Sequence, residues 1–372
     1  MALTVKEISD DSGMRDFLNL PYQIYKEDPL WVPPAMSEIR RTLDQSLNPY
    51  FLHASLRLFI CYREKEPVAR TAVVINKKHW DQQKRKSAMF GFFESADDID
   101  ACHTLFQKVE HFCTCQGIEC LEGPFNPNHY SELGLLSGNF TDPPIFFETY
   151  NPKYYIPLLE RAGFHFAQRL HTSINRNVGE YVQEKINLSK PRKSYKGFRV
   201  RHFRLLNYRS DLERIRQVNN DAFHDNWHFL PLSHDEYRFA GKYMFLVTVP
   251  RLVIIVEHEG KLVGVLQCVL NINKILHQLN GNVGIKDSLG FFRRRKQLKE
   301  IIIYAIGIKK AYQNSPVFML ILDSLCRILV DYSVLSTTWM TDSNIAAIRA
   351  SERLGLQPYK WFDIYEKNLK KV

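Results

Sequence analysis

Three side chains carry most of the acid–base chemistry that can be read from this sequence. His224 and His228 flank Asp225-Asn226-Trp227. Imidazole titrates nearest neutrality, so this pair is the candidate for taking a proton from an attacking nucleophile. Tyr304 is the single titratable side chain inside the apolar run Glu300–Ile308. With an ordinary pKa of about 10 it suits an acid better than a base. Cys268 lies in an equally apolar run and reads as a buried core thiol, not as an acyl carrier. No Ser-His-Asp elbow, HExxH helix, P-loop or GxGxxG phrase occurs.

The elements that would position these groups are duplicated. Leu158–Phe164 (LLERAGF) and Ala350–Leu356 (ASERLGL) share one phrase, and 192 residues separate Gly163 from Gly355. Each phrase reads as a helix end with a glycine able to take the left-handed conformation. Asn151 and Asn344 precede them by similar intervals, and an aromatic strand follows each. Upstream, Leu56–Asn76 and Arg251–Asn273 both read as strand, charged turn, strand. Next come apolar strands at Ser87–Glu94 and Glu300–Ile308, and then helices starting near Asp97 and at Ser315-Pro316. The same order at nearly the same interval indicates a duplicated βαβ-type module. The expected modules are 1–177 and 197–372, joined by a polar segment at 178–196.

Composition narrows the class. With 372 residues, 45% hydrophobic and 24% charged, the chain can bury more than one core. No apolar run approaches the roughly 18 residues of a membrane span, and the N-terminus lacks a signal-peptide pattern. Seven cysteines without CxxC spacing point to reduced thiols, a cytoplasmic location and no metal site. A net charge of +10 favours anionic partners, among them a phosphorylated co-substrate, an acidic carrier protein or RNA, with no sign of a DNA-binding module. Oligomeric state is not legible.

The second module resembles the GNAT (GCN5-related N-acetyltransferase) superfamily. Asn344–Lys367 (NIAAIRASERLGLQPYKWFDIYEK) looks like the family's closing pattern, and Asn151–Phe164 (NPKYYIPLLERAGF) is similar. The whole chain is therefore similar to tandem GNAT proteins, with an α/β (α+β) fold of two modules, each a mixed twisted sheet flanked by helices. The resemblance implies that the pantetheine arm of an acyl thioester lies along Ile306, Gly307 and Ile308, where two parallel strands splay. It implies a phosphate cradle at Gln313, Asn314, Ser315 and Val317, with Asn344 near the arm. It also places His224 and His228 over the acceptor cleft.

Departures from the family pattern are specific. Pro316 and Phe318 stand where the family has small residues, removing one amide and crowding a diphosphate. Ser351 stands where many members carry a catalytic Tyr. The basic stretch Arg293–Lys296 with Lys299 reads as a solvated loop or as a surface for an acidic carrier. The first module's helix opens with acids, Asp97, Asp98 and Asp100, which repel phosphate. That module is expected to bind no donor, although Tyr154 and Tyr155 keep a site there open.

The expected activity is N-acyl transfer from acyl-CoA or an acyl-carrier phosphopantetheine to a small amine. The alternatives are an aminoacyl-tRNA-dependent transferase and a catalytically degenerate binding protein of the same fold.

Overall fold

The computed structural model describes residues 2–186, 194–242, 244–281 and 288–369. Residues 187–193 of the expected connecting segment, and Gly284, lie outside them. Each half of the chain contains a β-hairpin. Ala54–Arg63 (β1) and Glu66–Asn76 (β2) form the first, followed by Ser87–Ser95 (β3), helix Ile99–Cys115 (α1) and Cys120–Gly123 (β4). Helix Tyr155–Arg161 (α2) and strand His165–Asn175 (β5) close that half. The second half contains helices Tyr208–Ala222 (α3) and His234–Gly241 (α4) and the hairpin Thr248–His258 (β6) and Lys261–Leu270 (β7). It continues with Glu300–Ile308 (β8), Val317–Leu329 (α5), Val334–Thr337 (β9), Ile345–Arg353 (α6) and Gln357–Asn368 (β10).

The duplication extends to local geometry. Both hairpins turn in two residues, pairing Arg63 with Glu66 and His258 with Lys261. Both turns open with a residue at positive φ, Glu64 at 58° and Glu259 at 50°. Such turns match the twist of the strands they join. Gly163 and Gly355 take φ of 90° and 70° at the ends of α2 and α6. There Phe164 N–H reaches Leu159 O and Leu356 N–H reaches Ser351 O, each at 3.0 Å, as a left-handed helix end requires.

The chain divides into two compact units, and these do not follow the expected 1–177 and 197–372 halves. One comprises residues 1–170, 276–285 and 360–372, the other 171–275 and 286–359. The closing strands are exchanged. In the first unit β4 pairs with the end of β10, Gly123 with Tyr365 through Cys120 with Asn368. In the second, β9 pairs with the end of β5, Leu335 with Asn175 and Ser336 with Ile174. The expected linker also begins as a helix, Val178–Lys185, whose Val178 and Val182 are fully buried.

Each unit has its own core. In the first, Phe90, Phe106 and Phe164 pack edge to face between β3, α1 and the end of α2. In the second, Ile215 and Val218 of α3 pack on Val253, Ile255 and Val265 of the hairpin. No described helix is long and apolar enough to cross a membrane.

Candidate active site

In the second unit, β8 and β9 run parallel for four residue pairs, from Glu300 opposite Val334 to Ile303 opposite Thr337. Thr338 ends the pairing: its N–H donates to Ile303 O at 3.1 Å and its hydroxyl to Tyr304 O at 3.2 Å. Beyond that point no strand among the described residues is registered against this edge of Ala305–Ile308. On the other edge, Gln267 of β7 pairs with Ala305 and Cys268 with Ile303, leaving Tyr304 as a bulge. A bulge bends the strand and re-aims one side chain, here at the mouth of the splay.

The first unit has the same scaffold with a different outcome. Strands β3 and β4 pair in parallel from Ser87–Cys120 to Met89–Glu122. A bulge follows at Phe92, whose φ is 48°. Where the gap would open, the chain returns. Phe92 N–H donates to Asn126 Oδ1 at 2.6 Å, and a Cβ on Gly91 would lie 1.7 Å from Phe125 O. Segment Phe125–Asn126 is held by Glu132–Leu133. Tyr155 donates to Glu94 at 2.7 Å, as does Tyr25, and Tyr154 donates to Ser95 O. Burial pushes the Glu94 carboxyl up, while Arg70 at 3.7 Å opposes the shift.

These two parallel strand pairs bear comparison with known structures. The chain superimposes on a tandem GNAT protein from the clavulanic acid biosynthesis pathway with a TM-score of 0.57, at 10% identity and full coverage of both chains. The chain has the tandem GNAT fold. A GCN5-related N-acetyltransferase from Sphaerobacter thermophilus matches with a TM-score of 0.51 at 11% identity, over 99% of this chain and 96% of that one. In sequence, this chain is 27% identical over 380 residues to a bacterial ceramide synthase of Caulobacter vibrioides, covering 99% and 98% of the two chains. It is 23% identical to protein YghO of Escherichia coli over 386 residues, covering 98% and 95%. No protein-family model matches it.

All the candidate site residues read from the sequence fall in the second unit of the GNAT chain. Ile306, Gly307 and Ile308 occupy the stretch of β8 that runs past β9. The loop after β8 is more closed than a phosphate cradle. Gln313 N–H turns back to Lys310 O, Ser315 N–H to Tyr312 O, and Ser315 Oγ donates to Tyr312 O at 2.5 Å. Pro316, expected as the first helical residue, is the cap itself, and α5 starts at Val317, whose N–H lies 3.4 Å from Ser315 Oγ. Asn314 is exposed on the same turn. The amides that remain for an anion belong to the next residues of the first helical turn, Phe318 and Met319.

Charge around this loop is partly cancelled. Lys310 Nζ lies 2.6 Å from Asp225, and its N–H donates to Asp221 at 2.7 Å. Arg353, which the sequence reading missed, lies 5.7 Å over the Phe318 ring. It is the cation that α6 brings to the start of α5. Its place in the repeated helix-end phrase was the only available signal.

The acid–base candidates separate. Burial pushes the Tyr304 hydroxyl above its ordinary pKa, which keeps it protonated. His224 is exposed and bound to Asp225 at 2.7 Å. His228 is half-buried with its ring against Trp227 and a φ of 55°. Asn344 caps α6 by accepting from Ala347 N–H at 3.1 Å. Ser351 is buried and donates to Ala347 O, so it does not replace the usual Tyr. Cys268 is fully buried, and burial pushes its thiol well up.

Proposed function

We propose that this chain transfers an acyl group from a pantetheine thioester to the amine of a lipid-like amino alcohol. The observation that carries the reading is the edge of β8 from Ala305 to Ile308, against which no described strand is registered and where an extended amide-bearing arm can pair as a strand would. In the first unit that position is held by Asn126, which favours a scaffolding role for the first unit. The 27% identity to a bacterial ceramide synthase supports a long-chain amino alcohol over other amines.

In the proposed reaction, the amine nitrogen attacks the thioester carbonyl carbon. The C–N bond forms, the C–S bond breaks, and the amine proton leaves to a base. Tyr304, kept protonated by burial, gives its proton to the departing thiolate. His224, on an exposed carboxylate, and His228, half-buried against Trp227, are both candidates for the base. The residues fit the pantetheine arm well and a diphosphate less well. Arg353 and the first-turn amides supply one cation and few donors, enough for a single phosphate and marginal for two.

The test is to incubate the protein with palmitoyl-CoA or palmitoyl-carrier protein and sphinganine, and to follow N-acyl product by mass spectrometry. Amide from at least one donor is expected. Absence of amide with both donors, from folded protein, would overturn the reading in favour of a binding protein of this fold.

A further inference from the structure

A buried polar cluster lies one residue from the Tyr304 bulge, on the sheet face covered by α3. Asn219 of α3 is 8% exposed. Its Nδ2 donates to Gln267 Oε1 at 2.8 Å and to Tyr237 OH at 3.2 Å. Gln267 Nε2 approaches the same Tyr237 oxygen at 3.5 Å. Gln267 sits opposite Ala305 in the ladder, so the cluster adjoins the edge proposed to hold the donor.

Two capacities are left over. With both Nδ2 hydrogens committed, Asn219 Oδ1 has no hydrogen-bond partner. Burying an acceptor unpaired costs about 1–3 kcal/mol, so its retention needs a reason. Tyr237, in turn, uses its oxygen as acceptor in both contacts, so its own hydroxyl hydrogen is directed elsewhere. Gly307 is what gives the carbonyl its room: a Cβ there would lie 2.7 Å from Asn219 Oδ1. The free acceptor and the Tyr237 hydroxyl flank one carboxamide, that of Asn219.

We infer that Asn219 and Tyr237 read the acceptor's head group, Asn219 Oδ1 taking an N–H of the amine and Tyr237 OH donating to an oxygen on the adjacent carbon. The inference rests on the second unit's edge being the reaction site, and it narrows the acceptor to 2-amino-1-alkanols. Gln267 is a positioning residue that fixes which way the Asn219 amide faces.

Binding without any acyl donor tests this apart from turnover. Dissociation constants are measured for 2-amino-1-decanol, decylamine and 1-decanol, with wild type, Tyr237→Phe and Asn219→Leu, each checked for native unfolding cooperativity. Wild type is expected to bind the amino alcohol about tenfold tighter than either single-group compound, the worth of one net hydrogen bond. Tyr237→Phe, which removes one oxygen and leaves the ring, should bind the amino alcohol no better than decylamine. Asn219→Leu should bind it no better than 1-decanol. Equal affinities for all three compounds in wild type, or unchanged discrimination in Tyr237→Phe, would overturn the inference, even if the protein makes amide. Discrimination without amide formation would uphold the subsite and overturn the proposed reaction.

Discussion

Asn126 Oδ1 accepts the Phe92 amide at 2.6 Å, and this bond sits where, in the second unit, no described strand is registered against one edge of Ala305–Ile308. The two bulges are equivalent in the repeat, yet only one is stitched to a returning segment of its own chain. Asn126→Ala should leave a buried amide unpaired and cost about 1–3 kcal/mol in denaturant unfolding. Acyl-CoA affinity should not change. Weaker acyl-CoA binding by this variant would move the donor to the first unit.

Donor binding should respond at the start of α5. Arg353→Ala removes the nearest cation and should weaken acyl-CoA binding about three- to tenfold, an effect that shrinks with added salt. Phe318→Gly uncrowds the same turn and should tighten it about two- to fivefold. Titration calorimetry with a non-hydrolysable acyl-CoA reads both. Unaltered affinity in both variants would remove this helix start from the donor site.

Stability should depend on pH through the first unit. Burial pushes the Glu122 carboxyl up to about 7 and the neighbouring His79 down to about 4. Between the ordinary carboxyl value of 4.5 and about 7, the folded protein holds a proton on Glu122 that the unfolded chain has released. Stability from this group therefore falls as pH rises through that window, by on the order of 3 kcal/mol. His79 acts oppositely: below its ordinary 6.5 the unfolded chain gains a proton that the folded protein refuses until about 4, so stability falls as pH drops. Glu122→Gln should reduce the loss seen between pH 5.5 and pH 8 in denaturant midpoints. An unchanged difference would show that Glu122 titrates normally.

Thiol chemistry should be confined to one position. Cys115 is exposed and the other six cysteines are buried. Burial pushes Cys102, Cys113, Cys120 and Cys326 each up to about 12. Brief iodoacetamide treatment of native protein should give a single adduct, at Cys115. Acyl transfer should survive Cys268→Ala, since no thiolate forms there. Loss of transfer with folding intact would instead make Cys268 an acyl carrier.

Much of the architecture was legible because it is written in local spacing. Apolar and β-branched runs around a short charged turn marked the hairpins, and the Asn-to-Gly interval marked the last helix of each half. Asn344 caps the helix it opens. The site was legible only in part. Tyr304 could be picked from a strand whose other titratable group, Glu300, stands at its edge, but that it forms a bulge depends on its register with β7. Lys310 stands next to the expected phosphate cradle, and the fold gives its charge to Asp225.

By itself the sequence determined the repeat, its strands and helix ends, and the departures at Pro316, Phe318 and Ser351, since each follows from neighbours within a turn or two. Tertiary structure alone decided that β5 and β10 are exchanged between units, that Asn126 fills one gap, and that Asn219, Gln267 and Tyr237 meet. An apolar strand can pair with any compatible edge, and a carboxamide can bond to any group the fold delivers. Those choices are made between residues tens to hundreds of positions apart, where periodicity carries no information.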